Sequence, residues 1–334
     1  MCDAIDVARL VFVNRNKELR SGWRVVAFVA LSYLSLLVIG SLIASIGSFV
    51  PSLGRMLIPP PDSEGASRHA VANFYINHAS SLIAVLIATA VCAKNLEHRS
   101  FASVGLKLHR GFLRDFGLGL IVGAGSLGLG VLLEAITGAA TFRASGRTYI
   151  NLVLSLMLLF TMFFTAAAFE ELFFRGFFFQ ALIHDLGPFP AVAITSTGFG
   201  LLHLANPAAS LLSTCNTIVA GIWLSLAYLK TRSLWLPTGL HCAWNLAMVF
   251  VFGLPVSGLS AFTRIGLLQG TGSPPIWISG GAYGPEGGLT ATVALVFSTL
   301  LVLKAPFFST TKEMTEAIKH GKQEPTFLSI INPE

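Results

Sequence analysis

Apolar positions in this chain neither alternate nor recur on one helical face; they run on without interruption. Stretches free of Asp, Glu, Lys and Arg cover residues 25–54, 69–93, 116–133, 148–169, 186–229, 233–263 and 287–303. A helix crossing a hydrocarbon core of about 30 Å needs about 20 apolar residues, so each run reads as a membrane helix. The run 186–229 is long enough for two, and Asn206-Pro207 offers the break between them. The pattern predicts an all-α fold, a polytopic membrane helix bundle of about eight transmembrane helices.

Composition narrows the class further. Of 334 residues 54% are hydrophobic and 11% charged, with mean hydropathy +0.72, whereas soluble domains carry about 25% charged residues. A soluble enzyme, a disordered chain and a secreted disulfide scaffold are excluded. The net charge of +6 would suggest nucleic acid in a soluble protein, but here its placement serves topology and no nucleic-acid partner is predicted. Sixteen of the 22 basic residues lie before the first run, between the second and third, after the sixth and after the eighth helix, and only five lie in the alternate loops. Both termini are therefore predicted to be cytoplasmic. The remaining one, Arg175, falls inside a hydrophobic region. The first run is too long for a signal-peptide core and is read as a retained span. Cys2, Cys92, Cys215 and Cys242 show no metal-type spacing; no disulfide is predicted, and the three in or beside apolar runs read as small buried hydrophobes.

The chain divides into a basic cytoplasmic arm (1–24), three membrane helices (25–147), a polar-studded membrane core (148–252), an outer Gly/Pro-rich loop with the last membrane helix (253–304) and a cytoplasmic tail (305–334). Residues 51–68 read as a polar outer loop. Glycines 117, 119, 123, 125, 128 and 130 crowd the third helix, a signal for close helix packing. The segment 253–288 is apolar yet rich in Gly and Pro, and it reads equally as a re-entrant loop or as a plain connector.

Ionisable groups at membrane depth are costly and usually face a cavity. Glu171 and Arg175 are four apart with the Glu first, the favourable order for a helical ion pair. Glu170 lies about 100° round the helix from Glu171, so Arg175 cannot easily neutralise both and one carboxylate is left for chemistry. A buried charge network that holds helices together is the competing structural reading. His203 is followed by Asn206, and His241 and Asn245 share a helix face. Antiparallel helices leaving the turn Leu186-Gly187-Pro188 would carry Glu170 and His203 to nearly one height, about 24 to 26 Å from it, with His241 at about 15 Å from its own turn. The depths agree if the helices around that turn protrude or tilt.

These motifs, Glu170-Glu171-xxx-Arg175, Phe199-xxx-His203 and His241-xxx-Asn245 in that order, resemble those of the CPBP family, the CAAX proteases and bacteriocin-processing enzymes also called the Abi family. The resemblance covers about 100 residues of the 148–252 core, and the 280–288 segment is similar to a loop of some bacterial members. It implies an intramembrane endopeptidase acting on a membrane-associated peptide or protein. Carried over by position, Glu170 and His203 would activate the attacking water, His241 and Asn245 would stabilise the oxyanion, and Glu171 with Arg175 would position Glu170. A zinc ion held by Glu170, His203 and His241 is the metallopeptidase version. The metal-free glutamate version is preferred, because Asn245 is an indifferent zinc ligand and a good oxyanion donor. A non-catalytic immunity or scaffold protein is the alternative. A proton-coupled transporter is disfavoured by the lack of an internal repeat and of an obviously broken helix. Short connections favour a multi-pass protein of a bacterial inner membrane.

Overall fold

The computed structural model describes residues 12–14, 18–49 and 66–319. Most of the basic arm, residues 51–65 of the outer loop, Cys2 and residues 320–334 of the tail lie outside the described residues. Helices follow the apolar runs in order: α1 Ser21–Phe49, α2 Ala66–Leu96, α3 Phe112–Ile136, α4 Tyr149–Arg175, α5 Phe177–Leu186, α6 Pro188–Leu202, α7 Leu211–Thr231, α8 Trp235–Leu246, α9 Leu289–Lys304 and the short α10 Lys312–Lys319. Six helical stretches among the described residues are long and apolar enough to cross a membrane, with α4 and α5 forming one stretch of 38 residues; α9 is a shorter apolar helix. The chain is a multi-pass integral membrane protein with a polytopic helical fold.

Three departures from the sequence reading matter. The arm is shorter than supposed, because α1 begins at Ser21 and Arg24 is buried within it, bonded to Glu97 and Glu18. The fold also contains a two-stranded antiparallel sheet, β1 (Ala140–Ala144) on β2 (Leu268–Gly272), with Thr141 opposite Thr271. It ties the α3–α4 connection to the 253–288 segment; a side chain at Gly270 would press on Phe252 O, so the segment can lie flat there. Finally, the continuous apolar stretch from α4 to α5 is broken. Gly176 adopts φ −77 and ψ −127, where a Cβ would collide with Leu172 O, so the absence of a broken helix no longer counts against transport. Among the cysteines Cys92 and Cys242 are buried as expected, but Cys215 is exposed.

Local chemistry sets the other boundaries. Gly187 takes the left-handed φ of +82 that ends α5, and Pro188 opens α6 at a position where a missing N–H costs nothing. Ser210 and Ser213 form a reciprocal capping box at the start of α7. Asn206 terminates the single 3-10 turn after α6, and Pro207 follows, so the break between α6 and α7 falls where the sequence divided the run 186–229.

Two apolar clusters build the bundle. One joins α3, α4, α7, α8 and α9 around Leu159, Trp223, Leu240 and Met248. The other joins α1, α2, α5, α6 and α7 around Phe28, Phe177, Ala191 and Tyr228. Helix α4 belongs to both, through Ala167 in the first and Leu172 in the second; Glu170 and Glu171 lie between these two positions and Arg175 one turn beyond Glu171.

Helix α3 packs closely along α8 because their backbones meet at glycine. A Cβ on Gly123 would collide with Leu240 O, and one on Gly239 with Phe116 O, whereas Gly117, Gly125 and Gly128 face open space. Between membrane helices there is no solvent-driven hydrophobic term, so such close approach supplies much of the association. Gly123→Leu should cost about 1–3 kcal/mol by overpacking and lower the thermal midpoint of detergent-solubilised protein, while Gly125→Leu leaves it unchanged. Equal midpoints for the two variants would overturn this assignment of the α3 glycines.

Candidate active site

The last two turns of α4 carry Glu170, Glu171 and Arg175. Glu171 and Arg175 are wholly buried, and Arg175 Nη1 donates to Glu171 Oε1 at 3.1 Å. The same guanidinium donates through Nη2 to Gly221 O at 2.8 Å and through Nε to Ser225 Oγ at 3.4 Å, both on α7. Its central carbon stands 4.9 Å from the centre of the Phe199 ring on α6, a cation–π contact. From α8, His241 Nδ1 donates to Glu171 Oε1 at 2.9 Å. Because a carboxylate only accepts, the His241 proton bound there lies on Nδ1 and leaves Nε2 for the cavity.

Glu170 is spared. It lines a cavity of about 420 Å³ together with His203, His241, Asn245 and Asn206. Its Oε2 is buried without a hydrogen-bond donor and lies 3.8 Å from His241 Nε2, too far for a direct bond and close enough for one oxygen to bridge. Arg175 bonds one carboxylate of the pair and leaves the other to the cavity, as the helical geometry predicted.

His203 is the C-cap of α6, half-buried, with Nδ1 donating to Phe199 O at 2.7 Å. Its Nε2 is thereby the nitrogen left to the cavity. All six sequence-predicted residues converge: Glu170, His203, His241 and Asn245 on the cavity, Glu171 and Arg175 directly behind it. The neighbour of Glu170 is however His241 and not His203, because α8 reaches α4 through the Glu171 bond. The zinc arrangement is not assembled. Among the described residues no three His, Cys, Asp or Glu side chains gather closely enough to hold a metal ion. No step through a metal is derived.

The structure adds residues that sequence reasoning passed over. The 253–288 segment is a wall of the cavity. Its Glu286 carboxylate accepts from Trp244 Nε1 at 3.1 Å and from the Ser257 N–H and hydroxyl, each at 2.7 Å. Asn216 on α7 donates to the carbonyls of Glu286 and Gly288, each at 2.8 Å. Trp244 lies between His241 and Asn245 on α8, so the segment is fastened to the helix that bears both. No periodicity marks such a segment, and only the pairing of a lone Glu with nearby Trp and Ser hinted at it. His78 on α2 also lines the cavity; its signal was an imidazole inside the charge-free run 69–93.

Arg175→Met leaves Glu171 buried with His241 as its one remaining donor, and breaking a buried pair typically costs about 3–5 kcal/mol. Folded yield and thermal midpoint should both fall, and the double variant Glu171→Gln/Arg175→Met should recover part of the loss. Wild-type yield for Arg175→Met would remove the pair from any structural role.

Residues 152–247 match the family model described as Type II CAAX prenyl endopeptidase Rce1-like. No curated protein and no solved structure matches the chain. The matched segment contains Glu170, Glu171, Arg175, Phe199, His203, His241 and Asn245, every residue of the three ordered motifs, and the match agrees with the resemblance to the CPBP family.

Proposed function

We propose that the protein is an intramembrane endopeptidase that hydrolyses a peptide bond in a membrane-associated protein or peptide. The observation that carries this reading is the division of labour between adjacent carboxylates. Arg175 and His241 both donate to Glu171 Oε1; Glu171 Oε2 and Glu170 Oε2 are each buried with no donor from the protein, but of the two glutamates only Glu170 lines the cavity. Buried carboxylate oxygens are normally hydrogen-bonded, and a water held between Glu170 Oε2 and His241 Nε2 satisfies both. The match of this segment to a prenyl endopeptidase family supports the same chemistry.

In this mechanism Glu170 takes the proton of that water as its oxygen attacks the scissile carbonyl carbon, and His203 Nε2 stands in the same cavity as a second acceptor. As the carbonyl oxygen gains charge, the Asn245 amide donates to it. An imidazolium at position 241 keeps one N–H on Glu171 and offers the other to the oxyanion. Collapse of the tetrahedral species breaks the C–N bond, and the departing amine takes the proton held by Glu170. The apolar wall of Phe173, Phe174, Trp223 and Leu224 excludes bulk water, which strengthens each of these interactions. The family description suggests a prenylated CAAX peptide as the substrate class in a host that makes one, and another membrane-associated peptide elsewhere. The cytoplasmic placement of both termini and a bacterial cell membrane belong to the same proposal, on the distribution of basic residues and the short connections.

The test compares membrane-proteome termini from cells carrying the wild-type chain, Glu170→Gln or no copy. New termini should depend on the wild type and vanish with Glu170→Gln, which changes one atom of a group bonded to no protein donor at Oε2. Asn245→Ala should lower kcat on a peptide spanning such a terminus by about 10²–10³ if it supplies an oxyanion donor. Termini indifferent to Glu170→Gln would end the proteolytic reading.

A further inference from the structure

A third imidazole faces the cavity, and it comes from outside the segment that matches the family. His78 lies on α2 within the run 69–93, at a depth where an ionisable group is costly without a task. Its Nδ1 is 2.7 Å from Phe74 O, one turn back on the same helix. A carbonyl only accepts, so Nδ1 carries the proton and a neutral ring keeps its lone pair on Nε2. The ring is fixed from two sides. It stacks on Phe74 with centroids 3.9 Å apart, and it meets the Phe169 ring edge-on at 6.1 Å. Phe169 immediately precedes Glu170 on α4, so His78 packs on the turn of α4 that carries the carboxylate proposed to activate water. Both His78 and Glu170 line the one cavity.

His203 has the same arrangement on α6. Its Nδ1 bonds Phe199 O at 2.7 Å, and the Phe199 ring lies 4.6 Å away. In both cases an aromatic four residues earlier orients the ring, its carbonyl sets the tautomer, and Nε2 remains for the cavity. A ring placed only for packing would need no second nitrogen, and a Phe there would avoid the cost of desolvating one.

We propose that His78 is a substrate-contacting residue: its Nε2 accepts a backbone N–H of the bound peptide and holds the chain across Glu170. The inference rests on the endopeptidase reading and deepens it. An extended peptide in a cavity at membrane depth brings N–H groups that have lost water, and each needs an acceptor from the protein. Glu170 is reserved for the water, and His203 Nε2 belongs to α6. His78 supplies the acceptor from α2, in the cavity that all three residues line.

The experiment uses the full chain in membranes and reads wild-type-dependent termini for Glu170→Gln, His78→Ala, His78→Gln and His78→Asn. A Gln places an amide oxygen near the position of Nε2, whereas the shorter Asn does not. The wild-type-dependent termini should decline with His78→Ala and His78→Asn and be restored with His78→Gln. On a peptide spanning one of these termini, His78→Ala should raise KM about tenfold with kcat within about threefold, the scale of one lost hydrogen bond. Thermal midpoints should stay near wild type, since the lost bond lies within α2 itself. Termini lost with Glu170→Gln but unchanged by all three His78 variants would overturn this inference alone. If no terminus depends on the wild-type chain, the endopeptidase reading and this inference fall together. A drop in kcat with KM unchanged would also overturn it, by assigning His78 to the chemical step instead of to binding.

Discussion

The structure depends on one buried cation. Arg175 has no exposed surface, and removing a guanidinium from water costs several kcal/mol that a single ion pair does not reliably return. It is tolerated because its surroundings are filled: a carboxylate on its own helix, a carbonyl and a hydroxyl on α7, and an aromatic face on α6. Glu171 then needs a second donor and finds it on α8, in His241. Satisfying one charge therefore draws four helices to a common point. The neighbouring Glu170 is left unpaired there because a helix turns about 100° per residue.

Such a network works only where the backbones can come close enough. At the α6–α7 contact Gly221 lies against Ser196, and a Cβ on Gly200 would collide with Ile218. Gly221 thus serves twice, as the small residue that admits α6 and as the carbonyl that receives Arg175. On the other side the α3 and α8 glycines set the position of the helix that carries His241 and Asn245. The 253–288 segment completes this frame by hydrogen bonds as well as by the apolar packing of Leu254, Val256 and Phe262: Asn216 holds its backbone while Glu286 holds Trp244 and Ser257. Val256, Ser257, Leu259 and Glu286 of the segment line the cavity, whereas Ile276 and Trp277 are exposed.

Much of this was legible along the chain. The membrane helices were visible because hydrocarbon imposes a length of apolar sequence that no soluble fold requires, and the breaks at Gly187-Pro188 and Asn206-Pro207 lie where backbone chemistry demands them. The six site residues were visible for the converse reason, since polar groups in such runs are rare enough to be weighed one by one. His78 escaped because an uncharged imidazole does not interrupt a charge-free run. Glu286 escaped because it lies in a Gly/Pro-rich segment where neither helical nor strand periodicity applies. The break at Gly176 was hidden by the apolar residues on both sides, which continue the pattern across a helix that does not continue.

The amino-acid order by itself determined that this chain resides in a membrane, roughly where most of its helices lie, and which side chains had to be satisfied or put to use. Those are local consequences of hydration cost and helix geometry. Only the tertiary structure decided which histidine stands beside which glutamate. The spacing paired Glu170 with His203 by height, yet height along a bundle does not specify which helix faces which. Close packing at glycine and the donors demanded by Glu171 brought α8 to α4 and set His241 next to Glu170, and the same convergence left no three-donor group for a metal among the described residues.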